Sequence, residues 1–109
     1  MFCSSKLEKE CSDSKTRRKS FGEERARRLG RRLDDLRAAA TLAVMRTLPG
    51  RCHALTGDLK GQIALDLDGP YRLIFEPADE PLPLDGNGSL DWNRVTVIRI
   101  LRIGDYHNG

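Results

Sequence analysis

The sequence predicts an α+β domain, with helices first and an antiparallel sheet after them. Apolar residues recur at helical spacing in the first third of the chain, and at strand spacing after Pro49-Gly50. Runs of helix followed by runs of strand favour segregated layers over a parallel α/β sheet. At 109 residues the chain is sized for one domain, 1–109, with one modest core.

The helices come from caps and stripes. Ser5-x-x-Glu8 and Ser20-x-x-Glu23 match the capping box, in which a Ser oxygen and a Glu carboxylate satisfy free N–H groups at a helix start. After Ser20, the residues Ala26, Leu29, Leu33, Leu36 and Ala40 stand three or four apart and share one helical stripe. Arg25, Arg28 and Arg32 form a neighbouring basic stripe. Gly30 sits in mid-helix, at a cost of ~1 kcal/mol relative to Ala. Residues 42–48 are expected to add a short helix, stopped by Pro49-Gly50.

The strands come from alternation. Ile63, Leu65 and Leu67 alternate with Ala64, Asp66 and Asp68, and Asp68-Gly69-Pro70 signals a turn. Tyr71, Leu73 and Phe75 then alternate with Arg72, Ile74 and Glu76, which predicts a hairpin. Residues 95–103 are rich in β-branched side chains but alternate imperfectly, which predicts burial on both faces or a bulge. Between these strands, residues 76–93 carry Pro77, Pro81, Pro83, Gly86 and Gly88. A structureless insertion of that length is usually functional or mobile.

Composition excludes several classes. With 39% hydrophobic and 32% charged residues, the chain is too apolar for disorder and too charged for a membrane protein. No apolar run approaches the ~18 residues of a membrane span, and the first residues lack the apolar core of a secretory signal, so a cytoplasmic location is expected. Cys3, Cys11 and Cys52 are odd in number and form no C-x-x-C, so neither a disulfide framework nor a cysteine zinc site is expected. Cys11 and Cys52 read as small packing residues. Residues 1–60 carry 15 Lys/Arg against 8 Asp/Glu, and residues 61–109 carry 4 against 8. A basic half beside an acidic half points either to a polyanion partner or to a solvated basic helix face.

Nucleotide cradles, zinc-hydrolase spacing and a G-x-S-x-G nucleophile are absent from the sequence, and no metal or cofactor is expected. There are two histidines, His53 and His107. Taken alone, His53 reads as a hydrogen-bonded strand residue and His107 as a tail residue. Arg72 interrupts an apolar strand, where a bare charge is costly. It is either paired with Asp66 or Asp68, or it binds an anion on an open sheet face. His, Arg, Tyr and Asp on a basic chain suit metal-free cleavage of RNA. The 2′-OH is an internal nucleophile, so a proton acceptor, a proton donor and a cation suffice.

The stretch Arg51-Cys52-His53-Ala54-Leu55-Thr56-Gly57-Asp58-Leu59-Lys60-Gly61-Gln62, then Pro70-Tyr71-Arg72-Leu73-Ile74-Phe75 and the terminal Asp105-Tyr106-His107, resembles the HigB branch of the RelE/ParE toxins. These are also described as plasmid-maintenance killer proteins. Upstream, Lys6-Leu7-Glu8-Lys9 and Arg31-Arg32-Leu33-Asp34-Asp35-Leu36 resemble the family's two helices. The resemblance implies a helical hairpin packed on a twisted antiparallel sheet. It implies a toxin of a type II toxin–antitoxin system: a ribosome-dependent mRNA endoribonuclease that inhibits translation. Its partners would be the ribosome, mRNA and a helix-turn-helix antitoxin of the HigA type, with operator DNA reached through that antitoxin.

Carried over residue by residue, His53 and Arg72 match active-site positions, and Asp105, Tyr106 and His107 match the terminal catalytic cluster. His53 or His107 would deprotonate the 2′-OH and the other would protonate the leaving 5′-oxygen. Arg72 would stabilise the phosphate, Asp105 would orient a histidine or the RNA backbone, and Tyr106 would stack on a base or orient the phosphate. Thr56 stands where the family often has a basic residue, with Lys60 nearby as an RNA contact. Arg25, Arg28 and Arg32 would meet ribosomal RNA phosphates. Residues 1–4 are short against the family's first strand. Two alternatives share the fold: a ParE-like gyrase poison, and a degenerate, non-enzymatic antitoxin-binding module.

Overall fold

The computed structural model describes residues 1–105. It is α+β, with three α-helices, two short 3-10 turns and a four-stranded antiparallel sheet among those residues. The first helix, α1, spans Ser5–Glu10. Its cap is Ser4 rather than Ser5: the Ser4 hydroxyl accepts from the Leu7 N–H at 3.2 Å. Asp13 caps α2, Ser14–Phe21, accepting from the Thr16 N–H at 2.7 Å.

The Ser20 capping box does not form. Ser20 lies inside α2, and α3, Glu23–Ala38, starts from Gly22, which makes no side-chain cap. The chain turns between the two helices at Gly22 with φ +86°, a conformation that glycine adopts without a Cβ penalty. Glu23 and Glu24 still occupy the first turn of α3, where negative charge offsets the helix dipole.

The predicted stripe holds for most of α3. Ala26, Leu29 and Leu33 are buried and Leu36 packs partly against the core. Ala40 lies past the helix end and is exposed. Gly30 has a local reason: a Cβ there would stand 3.2 Å from the Arg17 guanidinium. Arg17 reaches across from α2 and donates to the Cys11 carbonyl at 2.9 Å. The glycine gives up helix propensity and leaves room for the Arg17 guanidinium. The expected short helix is a 3-10 turn, Leu42–Thr47, which buries Leu42 and Met45.

The strands are β1, His53–Ala54; β2, Ile63–Asp66; β3, Tyr71–Pro77; and β4, Ile98–Asp105. They pair in sequence order, β1-β2-β3-β4. The turn at Asp68-Gly69-Pro70 sets Asp66 opposite Arg72. Imperfect alternation in the last strand has a bulge behind it. Ile74 faces Arg102 but Phe75 faces Ile100, so Leu101 is the extra residue.

One face of the sheet packs Ile63, Leu65, Leu73, Phe75 and Ile100 against Leu29, Leu33 and Met45. On the other face Leu55, Ala64 and Ile74 form a small apolar floor with Leu59 and Leu101. That second floor explains why Ala64 and Ile74 are fully buried although they fall on the alternate positions. Outside β4, Phe2 forms a parallel bridge with Ile100. Ile100 N–H donates to the Met1 carbonyl at 2.8 Å, and its own carbonyl accepts from Cys3 N–H at 2.9 Å.

Residues 76–93 make a folded excursion. Leu84 bridges Leu90, and the Asp85 carboxylate accepts from the N–H groups of Asn87 and Ser89 at 2.8 and 3.1 Å. Trp92 returns the chain into the main core. Asp79 ties the excursion to the approach of β4, accepting from Thr96 Oγ1 at 2.8 Å, Thr96 N–H at 3.0 Å and Val97 N–H at 3.2 Å. Cys11 and Cys52 pack as apolar residues, and burial pushes both thiols up to about 11. Among the described residues no helix is long and apolar enough to cross a membrane.

Candidate active-site face and adjoining cleft

Directly opposed residues in an antiparallel sheet share a face. His53 opposes Ala64, Ala64 opposes Ile74, and Ile74 opposes Arg102. This row crosses all four strands on the side away from the helices. Strands lie about 4.8 Å apart, so the row places the His53 and Arg102 backbones ~14 Å apart. Asp66 and Arg72 oppose each other on the same face, two positions along.

The centre of the face is an arginine–aspartate–arginine bridge. Arg72 Nε stands 2.7 Å from Asp66 Oδ1, and Arg51 Nε stands 2.9 Å from Asp66 Oδ2. Arg72 Nη1 also donates to the carbonyls of Gly69 and Tyr71, both at 2.9 Å. Between the two pairings the sequence leaves open for Arg72, the structure selects Asp66; Asp68 goes to Arg25. The Arg72 side chain is 11% exposed, that of Arg51 63%, so the bridge has a fixed inner cation and an outer one open to solvent.

Arg51 also sets the histidine. Its φ is +49°, uncommon for a residue with a Cβ, and its carbonyl lies 2.6 Å from His53 Nδ1. A carbonyl has no proton to give, so Nδ1 carries the hydrogen and donates it. In the neutral ring Nε2 is then the lone-pair nitrogen. With Nδ1 tied to the backbone, Nε2 is the ring nitrogen left to accept a hydrogen bond or a proton.

Other sequence candidates are placed elsewhere. Asp105 opposes Tyr71, so it shares the helix-side face rather than the face of His53 and Arg72. Tyr106 and His107 lie outside the described residues. Arg25, Arg28 and Arg32 do not form a free cationic stripe. Arg25 makes a two-point pair with Asp68 at 2.9 and 3.2 Å and lies over the Tyr71 ring at 3.4 Å. Arg28 donates to the Leu67 carbonyl and to Glu24, and Arg32 to the Asp66 carbonyl. These arginines fasten α3 to the β2–β3 turn. Helical spacing reveals which residues share a side, but not that this side meets the end of a hairpin.

Lys60 is exposed and lines a cleft of about 1160 Å³ between the Thr56–Gln62 segment and the excursion. Leu55 and Glu76 belong to its wall and continue onto the open face. Inside it the Arg46 guanidinium lies over the Trp92 ring, 3.6 Å from the centroid. Sequence reasoning missed Arg46, Arg51, Gln62 and Arg102. For Arg102 the signal was present, as a cation inside an apolar strand like Arg72. For Arg46 and Trp92, 46 residues apart, there was none.

Among the described residues no three His, Cys, Asp or Glu side chains are grouped to hold a metal ion. Compared with protein-family models, curated proteins and solved structures, the chain matches none of them.

Proposed function

We propose that the chain is a RelE/HigB-like toxin of a type II toxin–antitoxin system that cuts mRNA on the ribosome and so inhibits translation. One observation carries the reading. His53 is held by the Arg51 carbonyl with Nε2 as its basic nitrogen, on the sheet face that also presents Arg72 and Arg102. Nε2 takes the proton of the 2′-OH, and the 2′-oxygen attacks phosphorus. The bond to the 5′-oxygen breaks, giving a 2′,3′-cyclic phosphate and a 5′-hydroxyl end. The arginines offset charge as it builds on the phosphate. In this reading His107, assigned by resemblance, protonates the leaving oxygen. A helix-turn-helix antitoxin is the partner that holds the activity off.

A second reading is favoured by the state of Arg72. Its guanidinium is held by Asp66 and two carbonyls, as a purely structural arginine would be. A non-enzymatic antitoxin-binding module needs no more. Induced expression with mapping of mRNA 5′ ends separates the two. The parent is expected to leave new 5′ ends inside translated frames. His53→Ala is expected to reduce them by about 10²–10⁴-fold, the range of a general base, with unchanged melting. No cutting by the parent selects the module, and equal cutting by His53→Ala removes the proposed base.

A further inference from the structure

We propose that the cleft beside the excursion binds an unpaired nucleobase of single-stranded RNA, an inference that rests on the RNA-directed reading above. Charge pairing within the cleft wall selects this occupant. Each lining acid is already engaged: Glu76 with Arg99, Asp91 with Arg94, and Asp85 with the N–H groups of Asn87 and Ser89. Neither lining cation, Arg46 or Lys60, has an anionic partner among the described residues. With Glu76 and Asp91 neutralised by arginines, the wall carries two unpaired cations against one carboxylate, Asp85, that only neutral N–H groups hold; this net positive charge over apolar surface fits a base with its phosphate better than an apolar peptide.

The two remaining features are those by which unpaired bases are recognised. The Arg46 guanidinium lies over the Trp92 ring at 3.6 Å and the residue is exposed, so Arg46 can serve as a stacking platform for a base. Gln62, also in the wall, has a buried amide oxygen without a hydrogen-bond partner among the described residues. An amide of this kind matches the donor and acceptor edge of a base. The base stacks on Arg46, Lys60 holds the adjoining phosphate, and the Gln62 amide, whose oxygen gives up no protein hydrogen bond when it turns outward, reads the base edge. Leu55 and Glu76 connect the cleft to the face of His53, so a strand lying in both would be cut beside the base that is read.

Trp92 is the chain's one tryptophan and lies beneath Arg46 between core and cleft, so tryptophan fluorescence reports on a single position at this site. The probe is a set of short 2′-O-methyl oligoribonucleotides, whose blocked 2′-oxygen prevents cleavage. The expected result is saturable Trp92 quenching that weakens with salt. Lys60→Ala, at an exposed position, should weaken binding several-fold. Arg46→Lys keeps the charge but loses the plane, and should weaken it about tenfold. Gln62→Leu should bind but lose preference among the four bases. Absence of quenching, quenching unaltered by all three substitutions, or quenching by apolar peptides alone would overturn the inference. Quenching without mRNA cleavage in cells would keep this site and remove the nuclease. Cleavage without quenching would do the reverse.

Discussion

Arg72 and Arg51 share one carboxylate, yet their removal should have unequal consequences. Arg72 is the inner member, 11% exposed, and its loss leaves Asp66 and two carbonyls short of a donor. Arg72→Ala is expected to cost about 1–3 kcal/mol in urea denaturation, below the full range for a buried pair because Asp66 is partly solvated. Arg51→Ala removes an exposed side chain and should cost about 0–1 kcal/mol. If Arg51→Ala proved the more damaging, Arg51's side chain would matter more than its backbone. Residues that read as catalytic from sequence thus divide by burial. His53 can be removed at little structural cost, whereas a loss of activity in Arg72→Ala must be corrected for stability before it is assigned to chemistry.

Helices and loops show how far local patterns reach. The three-and-four spacing located α3 and its buried stripe, because those residues face the core whatever surrounds them. The capping pattern at Ser20 misled, because a turn between helices obeys the residue able to reverse the chain, and Gly22 is that residue. Gly30 registered only as a cost, because its benefit lies on α2. A double-mutant cycle tests that benefit. Gly30→Ala alone should give little or no stabilisation, since Arg17 must shift. In an Arg17→Ala background the same change should recover up to ~1 kcal/mol of helix propensity. Equal effects in both backgrounds would show that the contact is idle.

The excursion at residues 76–93 looked open-ended in sequence because its anchor, Asp79, bonds to residues 17 and 18 positions away. Partial burial raises the Asp79 carboxyl, but the N–H and hydroxyl of Thr96 and the N–H of Val97 outweigh it, so the net pKa is lowered. A lowered folded value means that the anchor stabilises above the unfolded carboxylate pKa of about 3.9. That support is lost as pH falls through the folded value. The stability gap between the parent and Asp79→Asn should therefore shrink from about pH 6 to about pH 3 in urea titrations. A constant gap would mean that Asp79 acts without its charge.

Over the whole molecule, the basic half of the chain spends much of its charge internally, with Arg17, Arg25, Arg28 and Arg32 all bonded to protein groups. Net charge by segment is visible in sequence, but its division between internal ties and solvent is set only when α3 meets the hairpin. One long-range contact has a further consequence. Residues 1–3 meet the outer edge of β4 through two backbone hydrogen bonds at Ile100 and one from Cys3 Sγ to the Leu101 carbonyl, with Phe2 packed against the core, closing a loop of nearly the whole described chain. An edge pairing of so few backbone bonds is expected to open at lower free energy than global unfolding, so amide hydrogen exchange at Cys3 and Ile100 should run ahead of Leu73 and Phe75 in mid-sheet. Equal protection would show that the Phe2 contact holds this segment as firmly as the core. Each fraying event bares the outer backbone of β4, turning a covered strand into a momentary sticky edge open to another extended chain.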